Sequence, residues 1–421
     1  MLPSVLAPIR TLRQRLTSPG VILFVGLSVA NASNYLFQVV MSRQLGPAEY
    51  SLLGSVFALV TVLGVSLSAL QTASAKAVAT NPGEHPAQRL DPLTKTTIRY
   101  GLAASAVVAL LSPLVASFLH SGIAPGIALA TFIVPAGLLA IGQGRLQGRE
   151  AFTALALLSI GLALGRIVAS AVAVALHLGV TGVVIVTVLT SLVGGATALH
   201  LTRHSAPSLP SAVRGDVVRA SLALLIFWVM VSIDIPVARH YLSSADAAGQ
   251  YAAASDVGKA VLWLPGALSV MMFPRVASRR QRNLMPHPPL VKAFGLAAAL
   301  CIPAVLFLWI AGARVIPLFF GTSYAEGAKI EWQVGAACLP FALSNVLIFY
   351  HLTRDTSAFI GGLAGALIIE IAALSVLHNS TTEIVSVMGA TGTGVLLAIG
   401  VPGSIRRLRK SRALPPAPAG R

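Results

Sequence analysis

The chain has 421 residues, of which 56% are hydrophobic and only 10% are charged. Soluble proteins carry about 25% charged residues, so this composition excludes a purely water-soluble protein. The net charge of +17 would suit a nucleic-acid-binding protein, but the basic residues lie between apolar segments rather than in a polar domain. That placement excludes nucleic acid as the partner and favours membrane lipids.

Twelve apolar windows follow one another along the chain, and each is long enough for a bilayer crossing of about 20 residues. They span 20–42, 49–72, 99–119, 122–142, 151–176, 178–201, 217–238, 247–272, 290–318, 330–351, 356–377 and 382–403. The polar segments between them are short. The sequence therefore predicts an all-α polytopic membrane protein with about twelve transmembrane helices.

The basic residues fall mainly on one side of these windows. With a cytoplasmic N-terminus, the inner segments hold 24 Lys and Arg residues and the outer loops hold four, Arg43, Arg239, Arg314 and Lys329. Cytoplasmic loops of membrane proteins carry such an excess of Lys and Arg. We therefore predict a multi-pass protein with both termini in the cytoplasm.

A loose internal repeat divides the windows into six and six at the basic segment 202–219. Arg43 and Tyr50 in the first half correspond to Arg239 and Tyr251 in the second. An even number of crossings per half makes the halves parallel repeats, which typically enclose a central cavity. The predicted domains are an N-terminal six-helix lobe over 1–207, a C-terminal six-helix lobe over 208–405, and a basic, Pro/Ala-rich disordered cytoplasmic tail over 406–421.

Two segments resemble a known family. Residues 42–50, Ser-Arg-Gln-Leu-Gly-Pro-Ala-Glu-Tyr, resemble the first outer loop of the polysaccharide-exporter branch of the multidrug, oligosaccharidyl-lipid and polysaccharide (MOP) transporter superfamily, and Asp234 to Ala277 resemble its seventh and eighth helices. The resemblance implies a MATE-like fold of two lobes whose cavity opens alternately to each side of the membrane. Several relatives have fourteen helices, so twelve leave no extra pair for a lipid-tail groove.

The implied function is a flippase or exporter of polyprenyl-diphosphate-linked oligosaccharide or polysaccharide in the cytoplasmic membrane of a bacterium. Implied partners are the lipid-linked glycan, membrane lipids, and polysaccharide-assembly glycosyltransferases or a polymerase. One alternative is a cation-coupled multidrug exporter of the same superfamily. The other is a membrane glycosyltransferase or ligase, although no paired aspartates, Ser/His arrangement or metal-ligand spacing stands out, so we expect no enzyme, catalytic residue, metal or cofactor.

The first window has a polar face. Asn31, Asn34, Gln38 and Ser42 recur at three- and four-residue intervals, which places them along one side of a helix. This face predicts a cavity wall that hydrogen-bonds sugar hydroxyls. The alternative is hydrogen bonding between packed helices.

Five charged residues lie well inside apolar windows, and each costs about 2.5–3.5 kcal/mol at mid-bilayer. They are Arg166, Asp234, Asp256, Lys259 and Glu370. Arg166 and Lys259 are candidates for binding a phosphate-bearing substrate, and the three carboxylates are candidates for a coupling proton or sodium ion. Asp256 and Lys259 are three residues apart on one helix, so a structural ion pair is the alternative for them.

Arg43 and Arg239 close the first crossing of each half, and by pseudo-symmetry we include both among the substrate-binding candidates. The alternative for them is snorkelling to lipid headgroups. Tyr50, Tyr251 and Trp263 are more typical of interfacial anchors. The pairs Gly161/Gly165 and Gly361/Gly365 predict close helix packing. Cys301 and Cys338 are expected to be apolar packing residues. Five prolines within apolar windows predict loosened helices. The five prolines are Pro135, Pro236, Pro265, Pro303 and Pro340.

Overall fold

A computed structural model of the chain describes residues 19–80, 92–203, 211–265, 287–352 and 358–412. Within these ranges all regular secondary structure is helical. This is the expected result for segments that cross lipid, because every backbone N–H and C=O there must be satisfied within the segment itself.

The helices follow the predicted windows closely. Each of the twelve windows is largely helical where it is described, and residues 266–272 of the eighth lie outside the described ranges. Among the described residues, nine helices are long and apolar enough to cross a membrane. One of these, Ser28–Ala79, contains two predicted windows, and Phe359–Leu374 is a shorter apolar helix. The chain is therefore a multi-pass membrane protein.

The helices are α1 Pro19–Thr80, α2 Pro92–Phe118, α3 Ala124–Gly148, α4 Phe152–Ala175, α5 Gly179–Leu201, α6 Ser211–Ser232, α7 Asp234–Tyr241, α8 Ala245–Gly258, α9 Ala260–Trp263, α10 His287–Phe319, α11 Glu331–Leu352, α12 Ala358–Leu374 and α13 Thr381–Arg412, with 3-10 turns at Thr322–Tyr324 and Gly327–Lys329.

The long helix α1 is two helices joined at a break. Gly46 has φ 72° and ψ 172°, and Pro47 follows it. A positive φ strains any residue with a Cβ, so glycine permits this break. The break separates the first two predicted crossings.

Prolines interrupt the seventh and eighth crossings. Helix α6 ends at Ser232 and α7 begins at Asp234, two residues before Pro236, whose missing N–H and bulky ring disrupt the bond to Ser232. Helix α8 ends at Gly258 and α9 runs only to Trp263, just before Pro265. The carbonyl of Val261, four residues before Pro265, accepts a hydrogen bond from Cys301 Sγ at 3.5 Å.

The chain separates into two compact units. The first unit extends to Leu225 and includes Ser244–Gly249 and Phe319–Ser323, and the second unit comprises Ile226–Ser243, Gln250–Leu318 and the residues from Tyr324 onward. In the first unit α3 packs against α1, α2 and α5. In the second unit α11 packs against α13 and α9, and α13 also packs against α12.

Close helix packing in the first unit depends on glycines of α3. A Cβ at Gly144 would overlap the carbonyl oxygen of Gln71, and one at Gly148 would overlap that of Ala75. The predicted close approach at Gly161/Gly165 and Gly361/Gly365 is wrong, because no atom lies within 4 Å of a Cβ built at any of the four. Their spacing reflects a surface that lipid can cover.

Short segments near the Gly46 break complete the first unit. Arg43 Nε donates a hydrogen bond to the carbonyl oxygen of Phe319 at 2.8 Å. The rings of Tyr50 and Phe320 meet edge to face with centroids 6.0 Å apart. The Arg43 side chain is therefore exposed and also hydrogen-bonded to the C-terminal end of α10.

Helix α13 continues to Arg412, so residues 406–412 are helical although the tail was predicted to be disordered. Arg, Leu and Lys in this stretch are good helix formers, and the prolines that dominated the composition begin only at Pro415. Residues 413–421 lie outside the described ranges.

Candidate functional site

In the first unit a half-buried cation lies beside an amide and two aromatic rings, and we call this group the Arg166 cluster: Asn34, Phe37, Phe57 and Arg166. Arg166 lies in the middle of α4, and its Nη2 donates a hydrogen bond to Asn34 Oδ1 on α1. The guanidinium carbon lies 4.5 Å from the ring centroid of Phe37 and 6.0 Å from that of Phe57. The two rings are 5.2 Å apart, centroid to centroid.

These contacts hold the guanidinium without neutralising it. Asn34 supplies a neutral amide, and the aromatic faces attract the cation through their quadrupoles. Among the described residues, Arg166 forms no ion pair, and its buried Nε has no hydrogen-bond partner. The first unit therefore holds a positive charge with unused hydrogen-bonding capacity.

The other polar residues of the first crossing have different environments. Gln38 is half-buried, and its Oε1 accepts a hydrogen bond from Tyr50 Oη at 3.4 Å. Ser42 is buried and donates to the carbonyl of Val39 at 2.9 Å. Asn31 is exposed. Asn34 and Gln38 thus each form one bond to a neighbouring helical segment, and their role as a cavity wall stays a prediction.

The second unit contains a cluster of opposite character, the Asp234 cluster: Asp234, Tyr251, Ser255 and Lys259. Asp234 is only 1% exposed. Its Oδ1 lies 2.6 Å from Lys259 Nζ. Its Oδ2 accepts hydrogen bonds from Tyr251 Oη at 3.1 Å and from Ser255 Oγ at 2.7 Å.

The local sequence explains how this cluster forms. Asp234 is the first residue of α7, where the break before Pro236 exposes the positive end of a helix to the carboxylate. Tyr251, Ser255 and Lys259 are spaced four residues apart, which places them on one face of α8 and its continuation. All three donors point to one carboxylate.

Two sequence-based interpretations are corrected here. Lys259 pairs with Asp234 on the preceding helix rather than with Asp256 on its own. Tyr50 and Tyr251 are both fully buried, so they are not interfacial anchors. Their hydroxyls bond to Gln38 and Asp234, and the repeat had already aligned the two tyrosines.

The remaining candidates lie in the second unit. Arg239, near the end of α7, and Asp256, near the end of α8, are half-buried. Glu370 on α12 is 1% exposed and lies within electrostatic range of Asp234 and Lys259. Among the described residues its Oε2 has no hydrogen-bond partner.

The sequence analysis missed four side chains of these sites and one buried carboxylate. Phe37, Phe57, Tyr251 and Ser255 contact the charges directly. The four-residue spacing of 251, 255 and 259 was the signal that could have revealed the helix face. Glu331, the first residue of α11, is 0% exposed, and neither of its carboxylate oxygens has a partner among the described residues.

Metal coordination has no candidate in the described ranges, where no three His, Cys, Asp or Glu side chains are close enough together to hold an ion. Among the described residues, the first unit therefore has a cation that could bind a ligand. The second unit has buried carboxylates, one of which is paired with an internal lysine.

Charged clusters inside polytopic helices are typical of membrane transporters, and the fold of this chain is similar to that of solved transporters. The lipid II flippase MurJ in an inward closed conformation matches with a TM-score of 0.69 at 12% identity, over 93% of this chain and 89% of that one. A MATE multidrug resistance transporter of the MOP superfamily matches in its outward-facing conformation with a TM-score of 0.63 at 15% identity, over 95% and 99%. A MOP transporter from Pyrococcus furiosus matches with a TM-score of 0.58 at 17% identity, over 93% and 94%.

At these identities the matches establish the all-α MOP fold. The chain belongs to the family of polysaccharide biosynthesis proteins, whose model matches residues 40–329. No curated protein matches the sequence significantly.

Proposed function

We propose that this protein moves a polyprenyl-diphosphate-linked oligosaccharide or polysaccharide from the inner to the outer leaflet of the cytoplasmic membrane. It does so by alternating access, with no covalent chemistry. Membership of a polysaccharide biosynthesis family and the MurJ fold support this cargo.

The observation that carries the proposal is the Arg166 cluster. A diphosphate is a polyanion, and arginine binds phosphate oxygens through a planar set of donors that keeps its charge at all relevant pH values. Because Asn34 and the two phenylalanines hold Arg166, and no carboxylate among the described residues pairs with it, we expect its charge to be available to a ligand. Burial strengthens that attraction, since the local dielectric is low.

A second candidate function is multidrug export coupled to a proton or sodium ion. The MATE-type fold and the buried carboxylates Asp234, Glu370 and Glu331 of the second unit favour it. A cationic drug is nevertheless a poor ligand for the Arg166 cluster, because like charges repel in a low dielectric. The glycan cargo therefore agrees better with the first unit.

Orientation and partners belong to the same proposal. Both termini face the cytoplasm, because the excess of Lys and Arg lies in the segments on that side. Enzymes that assemble the glycan, such as glycosyltransferases and a polymerase, supply or consume the lipid-linked cargo.

The test is transport by the purified full chain in liposomes. A fluorescent polyprenyl-diphosphate oligosaccharide is incorporated into both leaflets, and the fraction accessible to a membrane-impermeant quencher is followed with time. We expect the protein to make the whole pool accessible, while empty liposomes leave about half protected. The same vesicles loaded with a cationic dye test the drug alternative. Dye transport without glycan movement would replace the proposal with that alternative.

A further inference from the structure

The Asp234 cluster has the composition of a binding site for a small cation, yet it already contains one. Asp234, Tyr251 and Ser255 bring carboxylate and hydroxyl oxygens together in the interior of the second unit. The geometry points to a cation site whose permanent occupant is the ammonium group of Lys259, so that the protein needs no dissolved sodium ion there. This inference concerns the second unit and does not rest on the identity of the cargo.

The ligand set supports a site for a hard cation. Such ions prefer carboxylate, hydroxyl and carbonyl oxygens, and the Tyr251 and Ser255 hydroxyls retain acceptor lone pairs while they donate to Asp234. Lys259 Nζ lies 2.6 Å from Asp234 Oδ1, which is the position that a bound ion would take beside the carboxylate.

The charge balance makes the lysine necessary. Glu370 adds a second buried carboxylate within electrostatic range of Asp234 and Lys259. Without the lysine, the carboxylate of Asp234 would lose its ion-pair partner beside a second buried acid, and an isolated buried charge is strongly unfavourable. A small cation from solution would restore the balance.

The lysine is also fixed in place. Its side chain is only 12% exposed, and it lies at the junction between α8 and α9, where the helix is interrupted. An ammonium held in this way acts as an internal counterion of Asp234, which is a different role from the substrate binding predicted from the sequence.

The experiment removes the Lys259 ammonium group, so that the oxygen atoms around Asp234 become accessible to a dissolved cation. The purified full chain and its Lys259→Met variant are unfolded thermally in sodium, potassium or choline chloride at one ionic strength. We expect the unfolding midpoint of the unchanged protein to be the same with sodium and choline. The variant should unfold at a lower temperature in choline, and its midpoint should rise steadily with sodium concentration, because an ion that binds only the folded state stabilises it by mass action.

The matched control is the double variant Asp234→Asn with Lys259→Met. It removes both charges of the pair, and its midpoint should not respond to sodium. If Lys259→Met folds too poorly to be measured in choline, its yield after purification in sodium against choline chloride is the readout, and recovery in sodium alone supports the inference. A sodium-specific rise in the unfolding midpoint of the unchanged protein overturns the inference. So does a Lys259→Met variant whose midpoint does not change with sodium, or one that is recovered in neither salt. These readouts involve no transport, so they succeed or fail independently of the proposed cargo.

Discussion

At the scale of single residues, the two units stabilise interior charge in opposite ways. Arg166 is held by an amide and two aromatic rings, and in the part of the chain that the structure describes no carboxylate pairs with it. Asp234 is compensated by Lys259 and two hydroxyl donors. The first arrangement suits the recognition of an anion that comes and goes, and the second suits a permanent element of the fold.

Substitution of Arg166 should reduce transport of the lipid-linked glycan. A charged hydrogen bond contributes about 1.5–3 kcal/mol, so Arg166→Ala should lower the ratio of rate to half-saturating concentration by about tenfold to a hundredfold. Arg166→Lys keeps the charge but loses the planar donors, and it should be intermediate. The vesicle assay measures all three proteins.

The control for these variants is Arg99→Ala, which removes an exposed arginine of α2. It should transport at the unchanged rate. Wild-type transport by Arg166→Ala would remove the Arg166 cluster from the proposed substrate path.

Glu331 should weaken the fold rather than support it. Its two carboxylate oxygens are buried without partners among the described residues, and a Cβ at Gly312 would overlap one of them. Replacement of a buried unsatisfied polar group by an apolar group of similar shape removes a desolvation penalty of about 1–3 kcal/mol. We therefore expect Glu331→Met to raise the thermal unfolding midpoint.

The matched control is Glu326→Met, because Glu326 is exposed and forms an ion pair with the exposed Lys329. It should leave the midpoint unchanged. A lower midpoint for Glu331→Met than for the unchanged protein would mean that the carboxyl group is stabilised in the folded chain.

At the scale of elements, helix interruptions position the charges of the second unit. Asp234 begins α7 and Lys259 follows the end of α8. Pro236 and Pro265 lie close to these two positions, and proline disrupts the helical bonds of the preceding turn. The ion pair therefore connects two points that lie at boundaries between helices.

Packing between α1 and α3 should be sensitive to side-chain size at one glycine position. A Cβ at Gly148 would overlap the Ala75 carbonyl oxygen, and forced overpacking costs about 1–3 kcal/mol. Gly148→Ala should thus lower the unfolding midpoint. At Gly165 on α4 nothing lies within 4 Å, so Gly165→Ala should be neutral or slightly stabilising, because alanine is the better helix former. Equal effects of the two variants would contradict the packing described for α3.

At the scale of the whole molecule, the distribution of basic residues predicts the orientation in the membrane. The two native cysteines, Cys301 and Cys338, are buried, so cysteines introduced at exposed positions can report the side on which they lie. Glu326 and Lys95 are both exposed and fall on opposite sides of the predicted topology.

We expect Glu326→Cys to react with a membrane-impermeant maleimide in intact cells. Lys95→Cys should react only after the cells are made permeable. The unchanged protein, with its buried thiols, is the background control. The reverse pattern would invert the orientation and place the termini outside.

The sequence by itself determined the membrane class, the helical fold and the positions of nearly all helices, because apolar windows of bilayer length and proline or glycine breaks are local properties of the chain. It also singled out Arg166, Asp234, Lys259 and Glu370, since charge inside an apolar window is visible without a structure. The tertiary structure decided the partners of these charges. Asp234 and Lys259 are 25 residues apart and Asn34 and Arg166 are 132 apart, and only the packing of helices brings such residues within a few ångströms of each other.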